Sequence, residues 1–141
     1  MKIALASDLH HEFYSSAPGI PVVDADVLVL AGDIETVKSH DPLWWEHVAA
    51  DYEHVVYIMG NHEYYKTYYS ERPKFEFPKN VIVNQGMPAK TFMLKGKVWT
   101  IGTMWTDLSN PMDSMFAKHR MNDYRLIKHS RSRYWFPPIG S

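Results

Sequence analysis

A chain of 141 residues with 15 basic and 16 acidic side chains carries a net charge of −1, so its overall electrostatics select neither nucleic acid nor an anionic membrane surface as a partner. That length predicts one domain, large enough to bury roughly two thirds of the surface its unfolded chain exposes, and the 5 Trp, 9 Tyr and 6 Phe argue against disorder. The absence of cysteine excludes disulfides and thiolate metal sites and fits a reducing, cytoplasmic location.

Lys2 to Ala6 reads as a short strand that ends where Ser7 and Asp8 begin. No charged leader or long apolar stretch precedes it, so neither a signal peptide nor a membrane span is expected. Residues 11–21 read as a loop, broken by Ser15-Ser16 and Pro18-Gly19-Ile20-Pro21. Val22 to Ala31 is the strongest apolar run, and Val27 to Ala31 shows no alternation, as expected of a strand covered on both faces. Asp41-Pro42 predicts a helix start, with Asp41 as N-cap and the helix reaching about Tyr52. Its buried stripe is expected to hold Leu43, Trp44 and His47 or Val48. Val55 to Met59 is the next buried strand, and the β(α)β order predicts parallel pairing in an α/β fold.

Val81 to Val83 reads as a further short strand. Thr91–Leu94 and Lys97–Thr103 flank Lys95-Gly96, a two-residue turn that predicts a hairpin. From Ser109 the pattern loosens into helix or loop, ending in Tyr134-Trp135-Phe136-Pro137-Pro138.

Three of the apolar runs close on polar clusters: Asp8-Leu9-His10, Gly32-Asp33 and Gly60-Asn61-His62-Glu63. Ligands of open α/β sheets gather outside the carboxyl ends of the strands, so these distant residues are expected to converge. Asp8 and His10 are two apart and, in extended geometry, point the same way, offering an oxygen and a nitrogen to one ion. Asp33 has two oxygens, enough to bridge two ions, and Asn61 supplies a neutral carbonyl oxygen. This N/O set suits Mn²⁺, Fe, Zn²⁺ or Ni²⁺ better than a structural zinc. Two cations about 3.5–4 Å apart can hold the attacking and leaving oxygens of an in-line phosphoryl displacement and activate a hydroxide. His62 is placed to protonate the leaving oxygen. Glu63 either orients that imidazole or caps the following segment. The remaining six histidines, His11, His40, His47, His54, His119 and His129, are expected on the surface or on helices.

Across residues 1–65 the three clusters resemble the first signature blocks of the calcineurin-like metallophosphoesterases. Gly102-Thr103-Met104-Trp105-Thr106-Asp107 and Asn122-Asp123-Tyr124-Arg125 resemble, more loosely, segments of a small bacterial and phage subgroup. The resemblance implies an α/β/β/α sandwich with a binuclear centre between strand ends. By motif, Asp8 and His10 bind one metal, Asp33 bridges, Asn61 binds the second, and His62 is the catalytic acid. The family's later blocks, an isolated His and a Gly-His-x-His, have no counterpart here. His119 and His129 neither follow an apolar strand nor sit beside the expected glycine. The expectation is therefore a single domain incomplete in its second sheet, with the second metal site weak or empty. Open sheet edges would call for a homo-oligomer or a partner chain.

The expected activity is metal-dependent hydrolysis of a phosphomonoester or phosphodiester substrate by a metal-activated hydroxide. The rival reading is a weakly active or inactive relative that works through assembly with a partner. Lys118, Arg120, Arg125, Lys128, Arg131 and Arg133 form a basic segment opposed only by Asp123. It reads first as a solvated face, with nucleic-acid binding the less favoured alternative. The paired aromatics Trp44-Trp45, Tyr64-Tyr65 and Tyr68-Tyr69 read as packing residues, with Tyr64 or Tyr65 able to line a substrate pocket.

Overall fold

The computed structural model describes residues 1–68, 75–84, 89–105, 108–130 and 133–134. Its frame is a four-stranded sheet in the order β1 (Ile3–Ala6), β2 (Val27–Ala31), β3 (His54–Ile58), β4 (Val81–Asn84). All three pairings are parallel, with Leu5, Val29, Val56 and Ile82 in register. Every strand therefore ends on the same side, which is what lets three chain segments meet there.

Helix α1 (Pro42–Ala50) covers one face. Asp41 caps it, Oδ1 accepting from the Leu43 amide at 3.0 Å and the Trp44 amide at 3.4 Å. The buried stripe differs from the expected one: Trp44, Trp45, Val48 and Ala49 are buried, His47 is exposed, and Leu43 is 64 % exposed. Two adjacent indoles carry the most apolar area, so the helix rolls to bury both. At 3.6 residues per turn, that puts Leu43 and His47 on the far side. The tryptophans also find hydrogen-bond partners, Trp44 Nε1 on the Pro18 carbonyl and Trp45 Nε1 on Glu35, each at 2.8 Å. Beneath them lie Leu28, Leu30, Val55 and Tyr57 of the sheet.

The opposite face packs Val27 and Val56 against Leu94 and Ile101 of the hairpin β5 (Lys90–Leu94) and β6 (Lys97–Ile101). Lys95 and Gly96 form its turn with φ of 48° and 72°, the positive values that a tight primed turn requires. The second strand is shorter than the sequence reading. It stops at Ile101, whose carbonyl accepts from Asn84 Nδ2 at 2.6 Å, and Thr103 instead bonds the Met59 carbonyl. The result is an α/β fold with a helix on one face of a parallel sheet and a small antiparallel layer on the other, as the sequence predicts.

Beyond the hairpin, Asn110 caps α2 (Pro111–Arg120), accepting from the Met112 amide at 2.9 Å. Short α3 (Asp123–Leu126) leads into β7 (Lys128–Ser130), which pairs with β8 (Arg133–Tyr134). The Lys66 amide donates to the Leu126 carbonyl at 2.7 Å and the Lys128 amide to the Thr67 carbonyl at 3.0 Å. These bonds hold α3 against the exit of β3. The Trp135–Pro138 run, Tyr69, Thr106, Asp107 and Arg131 lie outside the described residues, as does the side chain of His129. No helix among the described residues is long and apolar enough to cross a membrane.

Candidate metal centre

Backbone pairing continues past the ends of β1 and β2. The Asp8 amide donates to the Gly32 carbonyl, the His10 amide to the Asp33 carbonyl and the His11 amide to the Ile34 carbonyl, at 3.0, 3.0 and 2.9 Å. The expected extended Asp8-x-His10 arrangement is not what forms. Asp8, His10 and Asp33 have φ of 56°, 49° and 53°, all in the left-handed region. Each such residue costs on the order of 1–3 kcal/mol, and such strain concentrates at functional sites. The left-handed residues coincide with the stretch in which the two exits stay hydrogen-bonded to each other. Gly32, at φ 91°, and Gly60 supply the room. A Cβ on Gly60 would sit 2.3 Å from Asp33 Oδ1 and 2.8 Å from its amide nitrogen, so no other residue lets Asp33 approach the third exit.

Asp33, His10 and His62 bring one ligand atom each to within 4.8 Å of one another. Asp8 stands beside this trio, its carboxylate 67 % exposed and its Oδ1 3.9 Å from His10 Nε2. Asn61 shares a cavity of about 460 Å³ with Asp8 and Asp33. His62, placed by sequence as the acid, therefore stands within reach of the metal-competent pair. The donors are imidazole nitrogens, carboxylate oxygens and an amide oxygen, without thiolate, and this chemistry fits a divalent cation of the first transition row.

Three carboxylates that bind no exposed partner hold these groups in place. Glu63 is fully buried: Oε1 accepts from the Ile34 amide and the Tyr57 hydroxyl, both at 2.8 Å, and Oε2 from the Gly60 amide at 2.8 Å and the Asp33 amide at 3.2 Å. Its place is thus between the exits of β2 and β3, and it makes no bond to the His62 ring, which leaves the orienting role considered for it to another residue. Burial pushes the Glu63 carboxyl above the usual range and the Tyr57 phenol well up.

Glu12 takes that role. Its Oε1 lies 2.7 Å from His62 Nδ1 and 3.3 Å from His10 Nδ1. Burial pushes the Glu12 carboxyl up, but the hydrogen bonds from His62, its own backbone and His10 together outweigh it and hold it below the ordinary glutamate value. An ionised carboxylate only accepts, so each ring keeps its proton on Nδ1 and presents Nε2 to the site. The His62 amide also donates to Asp33 Oδ1 at 3.0 Å, tying the exit of β3 to that of β2.

Asp123 is the third. Its Oδ1 accepts from Asn61 Nδ2 at 2.8 Å and from the Tyr65 hydroxyl at 2.7 Å. Burial first, then the bond and charge of Asp123, push the Tyr65 phenol well above its ordinary value. Neither Glu12 nor Asp123 was legible as a partner. The Asn122–Arg125 resemblance marked the segment without assigning a role to its carboxylate.

His11 is not on the surface: it is 2 % exposed at the start of a 3-10 helix (His11–Phe13), edge-on to Trp44 at 4.5 Å. Burial lowers its pKa below the usual histidine value despite Glu35, Glu12 and Asp41 nearby. His40 is half-buried, its Nδ1 2.9 Å from Glu35 Oε1. His119 lies on the exposed side of α2. Trp45 and Tyr64 are core, whereas Tyr65, with His62, Glu12, Lys38 and Lys66, lines a second cavity of about 700 Å³. The basic segment is split: Lys118 and Arg120 sit in the last turn of α2, where they complement its dipole, and Asp123 is committed to Asn61.

A family model described as calcineurin-like phosphoesterase matches residues 1–136. Among solved structures, the crystal structure of phosphopantetheinyl hydrolase (PptH) from Mycobacterium tuberculosis is similar, at 19 % identity and a TM-score of 0.48. The alignment covers 96 % of this chain and 56 % of that one, so the chain spans little more than half the length of that relative. No curated protein matches.

Proposed function

The chain belongs to the calcineurin-like phosphoesterase family, and from that premise we propose that it hydrolyses phosphate esters with His62 as the general acid. Asp8 and His10 would hold one cation and Asn61 a second, with Asp33 able to offer an oxygen to each. When bound, the divalent ions supply a Lewis acid for the phosphoryl oxygens and for the attacking water. The chain's own residues do the rest. Asp33 accepts the His62 amide and thereby sets the distance between ligand and acid. Glu12 holds the His62 proton on Nδ1, so that protonation at Nε2 gives an imidazolium stabilised by the carboxylate, with a proton to deliver to the leaving oxygen. Asp33 and Asn61 open onto the smaller cavity and His62 onto the larger one. The phosphoryl group thus belongs on the Asp33 side and the leaving alcohol on the side of Tyr65 and Lys66.

The observation that carries this reading is the convergence of His62 with Asp33 and His10 within 4.8 Å. The test is hydrolysis of p-nitrophenyl phosphate and bis-p-nitrophenyl phosphate after chelation and add-back of Mn²⁺, Zn²⁺, Ni²⁺ or Fe²⁺. Turnover that returns with an ion is expected; no turnover with any of them sinks the proposal.

A second reading, in which the chain works through assembly, is favoured by one feature. Strand β1, which is at the edge of the sheet among the described residues, exposes Ile3 at 51 % and Leu5 at 71 %, an apolar face. Light scattering after size exclusion tests it; an active monomer speaks against it.

A further inference from the structure

We propose that Asp123 is a positioning residue that locks the Asn61 side chain with its carbonyl oxygen toward the metal site. This inference rests on the assignment of Asn61 as a metal ligand in the function proposed above.

An asparagine amide offers one end that binds cations and one that repels them, and the two ends have nearly the same shape. Rotation by half a turn about the last bond would replace a ligand with a pair of N–H groups. In this molecule the choice is made by chemistry. Asp123 Oδ1 lies 2.8 Å from the Asn61 amide end and already accepts the Tyr65 hydroxyl, so it acts there as an acceptor. Nδ2 must therefore face Asp123, because the flipped amide would set two oxygens against each other in a site only 7 % exposed at Asp123. The Tyr65 oxygen takes the second Nδ2 proton at 3.2 Å, and its own hydroxyl proton goes to the same Asp123 oxygen at 2.7 Å. Both Nδ2 protons are thus engaged in a closed triangle of three groups. Asn61 Oδ1 is the one polar atom of that amide left for the cavity it shares with Asp8 and Asp33.

The triangle also links distant parts of the fold. Asn61 and Tyr65 belong to the exit of β3, while Asp123 is the first residue of α3. The backbone bonds from Lys66 to Leu126 and from Lys128 to Thr67 keep α3 in place independently of the triangle. Removal of the Asp123 carboxylate should therefore free the amide more than it moves the backbone.

The experiment is titration of the full chain with Mn²⁺ alone, followed by calorimetry and by the EPR signal of free Mn²⁺, for wild type, Asp123→Ala and Asp123→Asn. Loss of an outer partner of a metal ligand costs about 10–100-fold in affinity, and Asp123→Ala should show that loss for one ion. Asp123→Asn retains an accepting oxygen and should bind within a few-fold of wild type. Unchanged affinity in Asp123→Ala overturns the inference. So does an Asp123→Asn variant as weak as the alanine, which would mean that the carboxylate acts by its charge or as a ligand itself. A second readout needs no metal and no variant. In wild-type protein the Asn61 side-chain NH₂ pair should exchange with solvent far more slowly than the amide of an exposed asparagine, and equal exchange overturns the clamp. If wild type binds no Mn²⁺, the metal reading of Asn61 fails, while the exchange rate still decides whether the clamp exists.

Discussion

His62 Nδ1 and Glu12 Oε1 lie 2.7 Å apart, joining the exit of β3 to that of β1. With Glu12 accepting at Nδ1, the general-acid role proposed for His62 would run through Nε2. A positioned general acid contributes about 10²–10⁴-fold to rate. His62→Ala should lose kcat in that range on an alkyl phosphate ester, and much less on a nitrophenyl ester, whose leaving group needs no proton. Glu12→Gln keeps an accepting oxygen but no negative charge, so it should lose a fraction of the same factor with the same dependence on the leaving group. Comparing kcat across the two ester types checks both variants. A loss equal for both leaving groups would assign His62 to metal binding instead.

Asp33→Asn should abolish bound metal and turnover together. The amide oxygen can still accept from the His62 backbone, as Asp33 Oδ1 now does, so the fold should persist. Metal analysis after dialysis, alongside a thermal melt, reads the outcome. Turnover lost with metal retained would remove Asp33 from the ligand set.

What the sequence made legible is what is encoded locally. Val27–Ala31 and Val55–Met59 announce covered strands because buried parallel strands need no polar face. Asp41-Pro42 and Lys95-Gly96 announce a cap and a turn because those conformations select those residues. The three strand-exit clusters follow from the same logic, since parallel strands put their ends together. The supporting carboxylates were hidden for the opposite reason. Glu12 meets His62 across 50 positions and Asp123 meets Asn61 across 62, and no periodicity records such a pairing. The left-handed turns at Asp8 and His10 were hidden too, because neither is a glycine and they lie where two distant exits are hydrogen-bonded to each other.

Gly60 tests how tightly the exits are packed. Gly60→Ala places a methyl 2.3 Å from Asp33 Oδ1 and 2.8 Å from the Asp33 backbone nitrogen, and backbone cannot step aside cheaply. Overpacking of this kind costs about 1–3 kcal/mol, to be read as a lower denaturation midpoint, and displacement of Asp33 should weaken metal binding in the same variant. Gly19→Ala is the control. Its Cβ meets nothing within 4 Å, so its stability should stay within about 0.5 kcal/mol of wild type.

Lys95 sits in the hairpin turn and bonds Glu53, with Asp26 3.5 Å away, tying the second layer to the sheet. A bond from the Lys2 amide is the main cause that holds Asp26 below the usual carboxylate range, and the bond from Lys95 does the same for Glu53. The bond to Glu53 in turn raises Lys95. Carboxylates depressed in the fold contribute stability that is present above their unfolded pKa and lost as pH falls through the folded one. A raised lysine contributes stability present below its unfolded pKa and lost as pH rises through the folded one. The link is therefore fully made at neutral pH and undone on either side. Lys95→Met keeps the length of the side chain and the left-handed backbone demand, so it isolates the charge. Its Tm should fall below wild type at neutral pH by a small margin, since all three groups are solvent-screened. That margin should close as the pH is taken below the carboxylate range and shrink with added salt. A Tm difference that stays constant through acid would mean that the lysine stem, and not its charge, anchors the hairpin.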